Sequence, residues 1–309
     1  MTRQIRVRGL RPTCTDCATA TTRPNAVIEH PPGAETQWDW VELPNPPADW
    51  GWGSTAFLLV GALAHSGKWR GYLAPDMTRP QVIAGIDRIT RQLGGVTKTW
   101  RFDRMATVCH PATGHVTAEF AAVAKHYGVS VAVCPPRRGN RKGVVEKSNH
   151  TAAQRWWRTL PDEATADQAQ TSVDTFCRTR SDFRLRPTRD GRASVVTIAK
   201  REPLRRAPAA PYPAVLTETR QVCRQALVSW KGNHYSVPPE VAMSEVTVTE
   251  TLGDGHIDIA TTSGIVIARH PMAPRGSGAQ VRDHGHVVAL ETLVKGQASA
   301  GGRPHRRKE

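Results

Sequence analysis

Between Cys134 and Arg158 the chain reads CPPRRGNRKGVVEKSNHTAAQRWWR, where one carboxylate, Glu146, stands among seven Lys and Arg residues. It lies just past Gly143, which closes a basic loop at the point where a helical period begins. A single acid amid so much positive charge suits a group that holds a divalent cation while its neighbours hold phosphates. Asp103, at the end of an apolar run 43 positions earlier, and Asp39, between Trp38 and Trp40, are candidate partners. Phosphodiester cleavage and strand transfer by a two-metal route need carboxylates converging on two Mg²⁺ ions about 3.5–4 Å apart. Mg²⁺, or Mn²⁺ in its place, prefers oxygen ligands and retains waters, so a few carboxylates suffice. The spacing of these acids points to metal-dependent polynucleotidyl transfer.

Each acid also has a plainer reading. Glu42 or Asp49 could replace Asp39 as the strand ligand, and Asp103 could simply initiate a turn. Glu146 could serve only to offset a helix dipole, worth at most about 1 kcal/mol when exposed. The three together, in the right order of elements, favour a site. Asn149 and His150 follow Glu146 at i+3 and i+4, which puts them near a metal or scissile phosphate. Arg137, Arg138, Arg141, Lys142 and Lys147 are candidate contacts to DNA phosphates. Trp156 and Trp157 are better suited to packing their helix onto the core than to stacking on bases.

The elements that must position these residues follow from periodicity. Residues 1–35 are turn-rich and read as an arm or linker. Thr36–Leu43, Ser54–Ala64 and Lys68–Ala74 read as three strands of an antiparallel meander. Arg79–Leu93 carries Val82, Ile86, Ile89 and Leu93 at helical spacing, with Thr78 as N-cap and Gly94-Gly95 as stop. Strand Val96–Phe102, helix Thr117–Tyr127, strand Val129–Cys134 and a helix over Gly143–Leu160 follow, then a helix over Pro161–Cys177. Three strands, helix, strand, helix, strand, helix is the order of a ribonuclease H-like α/β fold with a mixed sheet. A catalytic core over 36–182 is therefore expected. A basic Pro- and Arg-rich linker over 183–215 comes next. Short strands with hairpin signals at Gly253-Asp254-Gly255 and Thr262-Ser263-Gly264 predict a small barrel-like β module over 216–272. Residues 273–309 read as a basic, disordered tail.

Composition sets the partner class. Of 309 residues, 39% are hydrophobic and 22% charged, as in globular proteins, while the net charge is +15. The excess is clustered: Arg137–Arg158 and Arg184–Arg206 each carry a net +6 and Pro274–Glu309 a net +4, leaving about −1 elsewhere. Three basic clusters on an otherwise neutral chain favour a nucleic-acid partner over a set of solvated loops. No apolar run reaches the length of a membrane span, and the N-terminus lacks the apolar centre of a secretory signal. A cytoplasmic, nucleoid-associated protein is expected. Cys14 and Cys17 share a C-x-x-C spacing, but a zinc site needs two further ligands and His30 alone does not complete one.

The segments WDWVEL, WRFDRMATV and HYGV…CPPRRGNRKGVVEKSNH resemble IstA-type insertion-sequence transposases of the DDE transposase and retroviral-integrase superfamily, over roughly residues 30–270. The resemblance implies a catalytic and metal-binding triad of Asp39, Asp103 and Glu146. It also implies a helper AAA+ ATPase, assembly as an oligomer on paired DNA ends, and a β-barrel around the NHYSVP segment. The family carries N-terminal helix-turn-helix domains, and nothing before Asp39 reads as one. A non-catalytic DNA-binding relic of a truncated transposase is the alternative expectation. Arg104-Met105 also stands after Asp103 where many superfamily members have Asn-Gly.

Overall fold

The computed structural model describes residues 30–135 and 143–300, with side chains to 295. It forms two compact units that divide between Tyr212 and Pro213. In the first, β1 (Glu35–Pro44), β2 (Thr55–Leu63) and β3 (Trp69–Ala74) form the expected antiparallel meander. Then come α1 (Arg79–Leu93), β4 (Thr99–Phe102), α2 (Ala118–Tyr127), β5 (Ser130–Val133), α3 (Gly143–Thr151) and α4 (Ala166–Phe176). The sheet order is β3-β2-β1-β4-β5, with β4 parallel to both β1 and β5. This is the mixed α/β sheet with flanking helices predicted from the order of elements.

Alternation along β1 separates two cores. Trp38 is fully buried between Trp100, edge-on at 5.7 Å, and Phe102, stacked at 6.1 Å. Phe120 and Tyr127 of α2 extend that aromatic cluster. Gly61 on β2 is required here, because an added Cβ would lie 2.5 Å from the Trp38 ring and 2.7 Å from Ile89. The other face buries Val41 and Leu43 with Leu58 and Val60 against Val145, Trp156, Trp157 and Val173.

The helix expected to run from Gly143 to Leu160 changes winding instead. After Thr151 it widens into a π turn (Ala152–Trp156) and tightens into a 3₁₀ turn (Trp157–Thr159). Neighbouring residues of a regular helix point about 100° apart, and the changed winding brings both indoles into one core. Trp156 donates to the Ser172 hydroxyl at 3.2 Å and Trp157 to the Pro44 carbonyl at 3.1 Å. Both tryptophans are core residues.

The segment read as a linker is a folded part of the first unit. It contains a hairpin of β6 (Leu185–Thr188) and β7 (Gly191–Ser194), then the short α5 (Val195–Ala199). Buried carboxylates fasten both ends. Asp182 accepts two hydrogen bonds from Arg70 at 2.9 and 2.8 Å, and Glu202 accepts from the backbone N–H groups of Gly33 and Ser66. Arg205 then exchanges a pair of backbone hydrogen bonds with Val96. Pro-Arg composition masked this, because each anchor is a contact between residues far apart in sequence.

The second unit is all-β apart from its last helix. A four-stranded sheet combines β8 (Val215–Gln221), β11 (Glu245–Thr251), β12 (His256–Thr261) and β13 (Val266–Pro271). A three-stranded sheet combines β9 (Leu227–Trp230), β10 (Asn233–Ser236) and β14 (Gln280–Val281). Val228, Trp230, Tyr235, Val246, Val248, Ile257 and Ile259 make one core from both sheets. The disordered tail expected from 273 onward is ordered through 300. Asn233 donates to the Pro274 carbonyl and accepts from Ala279 N–H and the Ser277 hydroxyl, β14 pairs with β10, and α6 spans His284–Ala300. Among the described residues, no helix is long and apolar enough to cross a membrane.

Candidate active site

Polar residues recur at every second position of β1: Glu35, Gln37 and Asp39, before the same face turns apolar at Val41 and Leu43. This polar stripe docks α3. The Gln37 carbonyl oxygen accepts from Val145 N–H at 3.3 Å while its amide donates to Glu35 at 3.0 Å. Glu35 in turn holds Arg101 of β4 at 2.7 Å, and that hydrogen bond raises the Arg101 pKa above its ordinary value. One turn further along α3, Asn149 donates to Asp39 at 2.8 Å. Two side-chain contacts four residues apart thus lay α3 along β1. Gln37 was not singled out from sequence, although its place in a period-2 polar stripe was legible there.

Asp39 is half-buried in β1, opposite Val60 of β2. The parallel ladder between β1 and β4 pairs Gln37 with Arg101. Continuing that register by two residues aligns Asp39 with Asp103, one position beyond the end of β4. Adjacent strands lie about 4.8 Å apart, and the ladder itself ends at the Gln37–Arg101 pair. Asp103 is exposed, and its carbonyl accepts from Met105 N–H at 2.8 Å in a tight turn. Glu146 is exposed in the first turn of α3, three residues before Asn149. Among the described residues no three His, Cys, Asp or Glu side chains close into a metal-holding group.

The remaining predicted positions separate. Lys147 lines a cleft toward the β6–β7 hairpin, and His150 lines another with Arg155, Phe176 and Arg180. Arg137, Arg138, Arg141 and Lys142 lie outside the described residues, as do Cys14 and Cys17. The Asn149 amide oxygen is buried without a hydrogen-bond partner, next to Asp39. Asp39, the orphaned Asn149 amide oxygen and Glu146 three residues before it on α3 are oxygen donors. That chemistry fits a hard cation such as Mg²⁺ or Mn²⁺ rather than a zinc site of thiolates and imidazoles.

The chain is 28% identical over 195 residues to the transposase for insertion sequences IS1326/IS1353 of Pseudomonas aeruginosa, covering 62% of this chain and 38% of that protein. It is 24% identical over 264 residues to the transposase for insertion sequence element IS21 of the same organism, covering 84% and 66%. The IS1326 and IS21 transposases are among its homologues. The chain thus spans about 38% of the length of the IS1326/IS1353 relatives. Residues 207–283 match the family model for the Mu transposase C-terminal domain, a stretch that begins just before the second unit and lies mostly within it. Among solved structures, the HTLV-2 integrase catalytic core domain in complex with magnesium aligns with a TM-score of 0.41 at 15% identity, over 54% of this chain and 97% of that one.

Proposed function

We propose that the chain carries the catalytic centre of a DNA transposase, acting by metal-dependent hydrolysis at element ends and transfer of the resulting 3′-hydroxyl onto target DNA. The observation that carries this reading is the docking of α3 on β1. The Asn149–Asp39 hydrogen bond ties the helix bearing Glu146 to the strand bearing Asp39, and β4, which Asp103 follows, pairs with β1. Homology to insertion-sequence transposases supports the same reading.

In this account Asp39, Asp103 and Glu146 would hold two divalent cations. When bound, these supply activation of the attacking oxygen and stabilisation of the leaving one. The chain's own residues do the rest. Asn149 fixes the Asp39 carboxylate, as outer groups do for metal ligands generally. Lys147, with Arg137, Arg138, Arg141 and Lys142, neutralises DNA phosphates, and His150 contacts the DNA from its own cleft. A helper AAA+ ATPase and an oligomer on paired ends complete the proposal.

The test is strand transfer by the purified chain on a pre-cleaved element-end duplex, with Mg²⁺ or Mn²⁺. Glu146→Gln should lower the rate by about 10²-fold or more while DNA binding persists. Salt-sensitive DNA binding with no metal-dependent product, in both proteins, would instead support the non-catalytic relic.

A further inference from the structure

The β6–β7 hairpin and α5 overhang the start of α3 and the turn after β2. Together they enclose an open cleft of about 1240 Å³. Five cations line it, Lys147, Arg186, Arg189, Arg192 and Arg201, against a single acid, Asp190. They come from α3, the hairpin and the segment after α5, so the charge is assembled by the fold and not by one basic run. Among the described residues, none of the four arginines forms an ion pair.

We propose that this cleft is a second DNA-backbone site, in which the β6–β7 hairpin clamps phosphates of the strand that runs past the N-terminal end of α3. Five cations on three elements exceed what one small anion can neutralise, so the chemistry calls for an extended polyanion. That the polyanion is DNA rests on the transposase reading above. Gly143 and Val144 also line the cleft, which places it at the N-terminal end of α3, the end whose first turn carries Glu146.

Two features separate this cleft from an ordinary solvated face. Arg186 is partly buried, yet its recorded hydrogen bond goes to a neutral group, the His65 carbonyl at 3.0 Å. Burial and the nearby Arg184 both depress its pKa, with Glu202 opposing. Glu202 is already occupied by two backbone N–H groups. Taking a cation out of water without a carboxylate in contact is costly, and an incoming phosphate relieves that cost. With five cations against one acid, the cleft is net positive before any ligand arrives. The hairpin is also built to present charge. Its two-residue turn is Arg189-Asp190, closed by Gly191 at φ 119°, and Arg192 follows at once.

The test is fluorescence anisotropy of a labelled 30-base-pair duplex titrated with the full chain in EDTA, where no metal-dependent step can occur. The Arg189→Gln/Arg192→Gln double variant changes two exposed side chains, and an unchanged melting temperature checks its fold. If each arginine meets one phosphate, the slope of log K against log salt should become shallower by about 1.8. Affinity at moderate salt should fall about tenfold or more. The control pair Lys98→Gln/Lys125→Gln removes the same charge from positions outside the cleft and should retain the wild-type slope. An unchanged slope in the hairpin variant, or an equal loss in the control, would overturn the proposal. Strand transfer by the wild type is scored separately. Loss of binding in the hairpin variant without any wild-type strand transfer leaves the clamp standing and the transposase reading refuted. Wild-type strand transfer with unaltered binding by the hairpin variant does the reverse.

Discussion

Arg70 and Asp182 decide whether the segment after α4 is structure or tether. Their side chains are 6% and 7% exposed and meet in a two-pronged contact at 2.8 and 2.9 Å. Burial opposes the Arg70 charge, and the hydrogen bonds to Asp182, together with the charge of Asp182 and those of nearby groups, more than offset it, leaving its pKa raised. Asp182→Ala would strand that guanidinium in the core. Removing one partner of a buried pair costs about 3–5 kcal/mol. For a unit of roughly 200 residues each kcal/mol moves the midpoint by about 2–4 °C, so a fall of about 6–20 °C is expected. Eight of the nine tryptophans precede Tyr212, so thermal unfolding followed by tryptophan fluorescence reports this unit. The double variant Arg70→Met/Asp182→Leu should recover most of the loss, since an apolar pair of similar volume removes the stranded charge. A cost below about 1 kcal/mol for Asp182→Ala, typical of an exposed pair, would refute the placement of this segment against β3.

Other perturbations read other links. Asn149→Ala removes the donor to Asp39 and should weaken Mn²⁺ binding about 10–100-fold, measured by calorimetry, with the melting temperature nearly unchanged. Trp157→Ala should destabilise the first unit by about 3–5 kcal/mol, read by urea unfolding, because its ring is buried and its N–H bonded to Pro44. His30 tests pH dependence. Burial first, then Arg101, Arg186 and His65, lower its pKa against the pull of Glu35. The unfolded chain therefore binds more protons below its ordinary value of about 6.5, and stability falls as pH drops through that region. His30→Gln should flatten the stability profile between about pH 5 and 7, measured by denaturant midpoints.

The sheet was legible because its signals are local. Short, turn-linked runs marked β1 to β3, a 3.6-residue period marked α1 and α2, and Gly94 and Gly128 stopped both helices where expected. Asp39 and Glu146 fell on the expected strand and helix for the same reason. What sequence could not supply was any feature built from distant partners. The hairpin after Asp182 is anchored through Arg70, Gly33, Ser66 and Val96, each more than 100 positions from its partner. The ordered stretch after Pro271 depends on β10, some 40 residues earlier, through strand pairing and the side chains of Asn233, Tyr235 and Ser236. The divergence of His150 from Asn149 arises from their 100° separation around α3, which sends one to Asp39 and the other to a separate cleft.

The central claim is that Asp39, Asp103 and Glu146 share divalent cations. Anomalous diffraction from crystals of the full chain grown with Mn²⁺ and a short element-end duplex measures this directly. The account predicts peaks within about 2.2 Å of carboxylate oxygens from all three acids. Ordered density for those side chains with no Mn²⁺ peak between them, or a peak held by other residues, would contradict it.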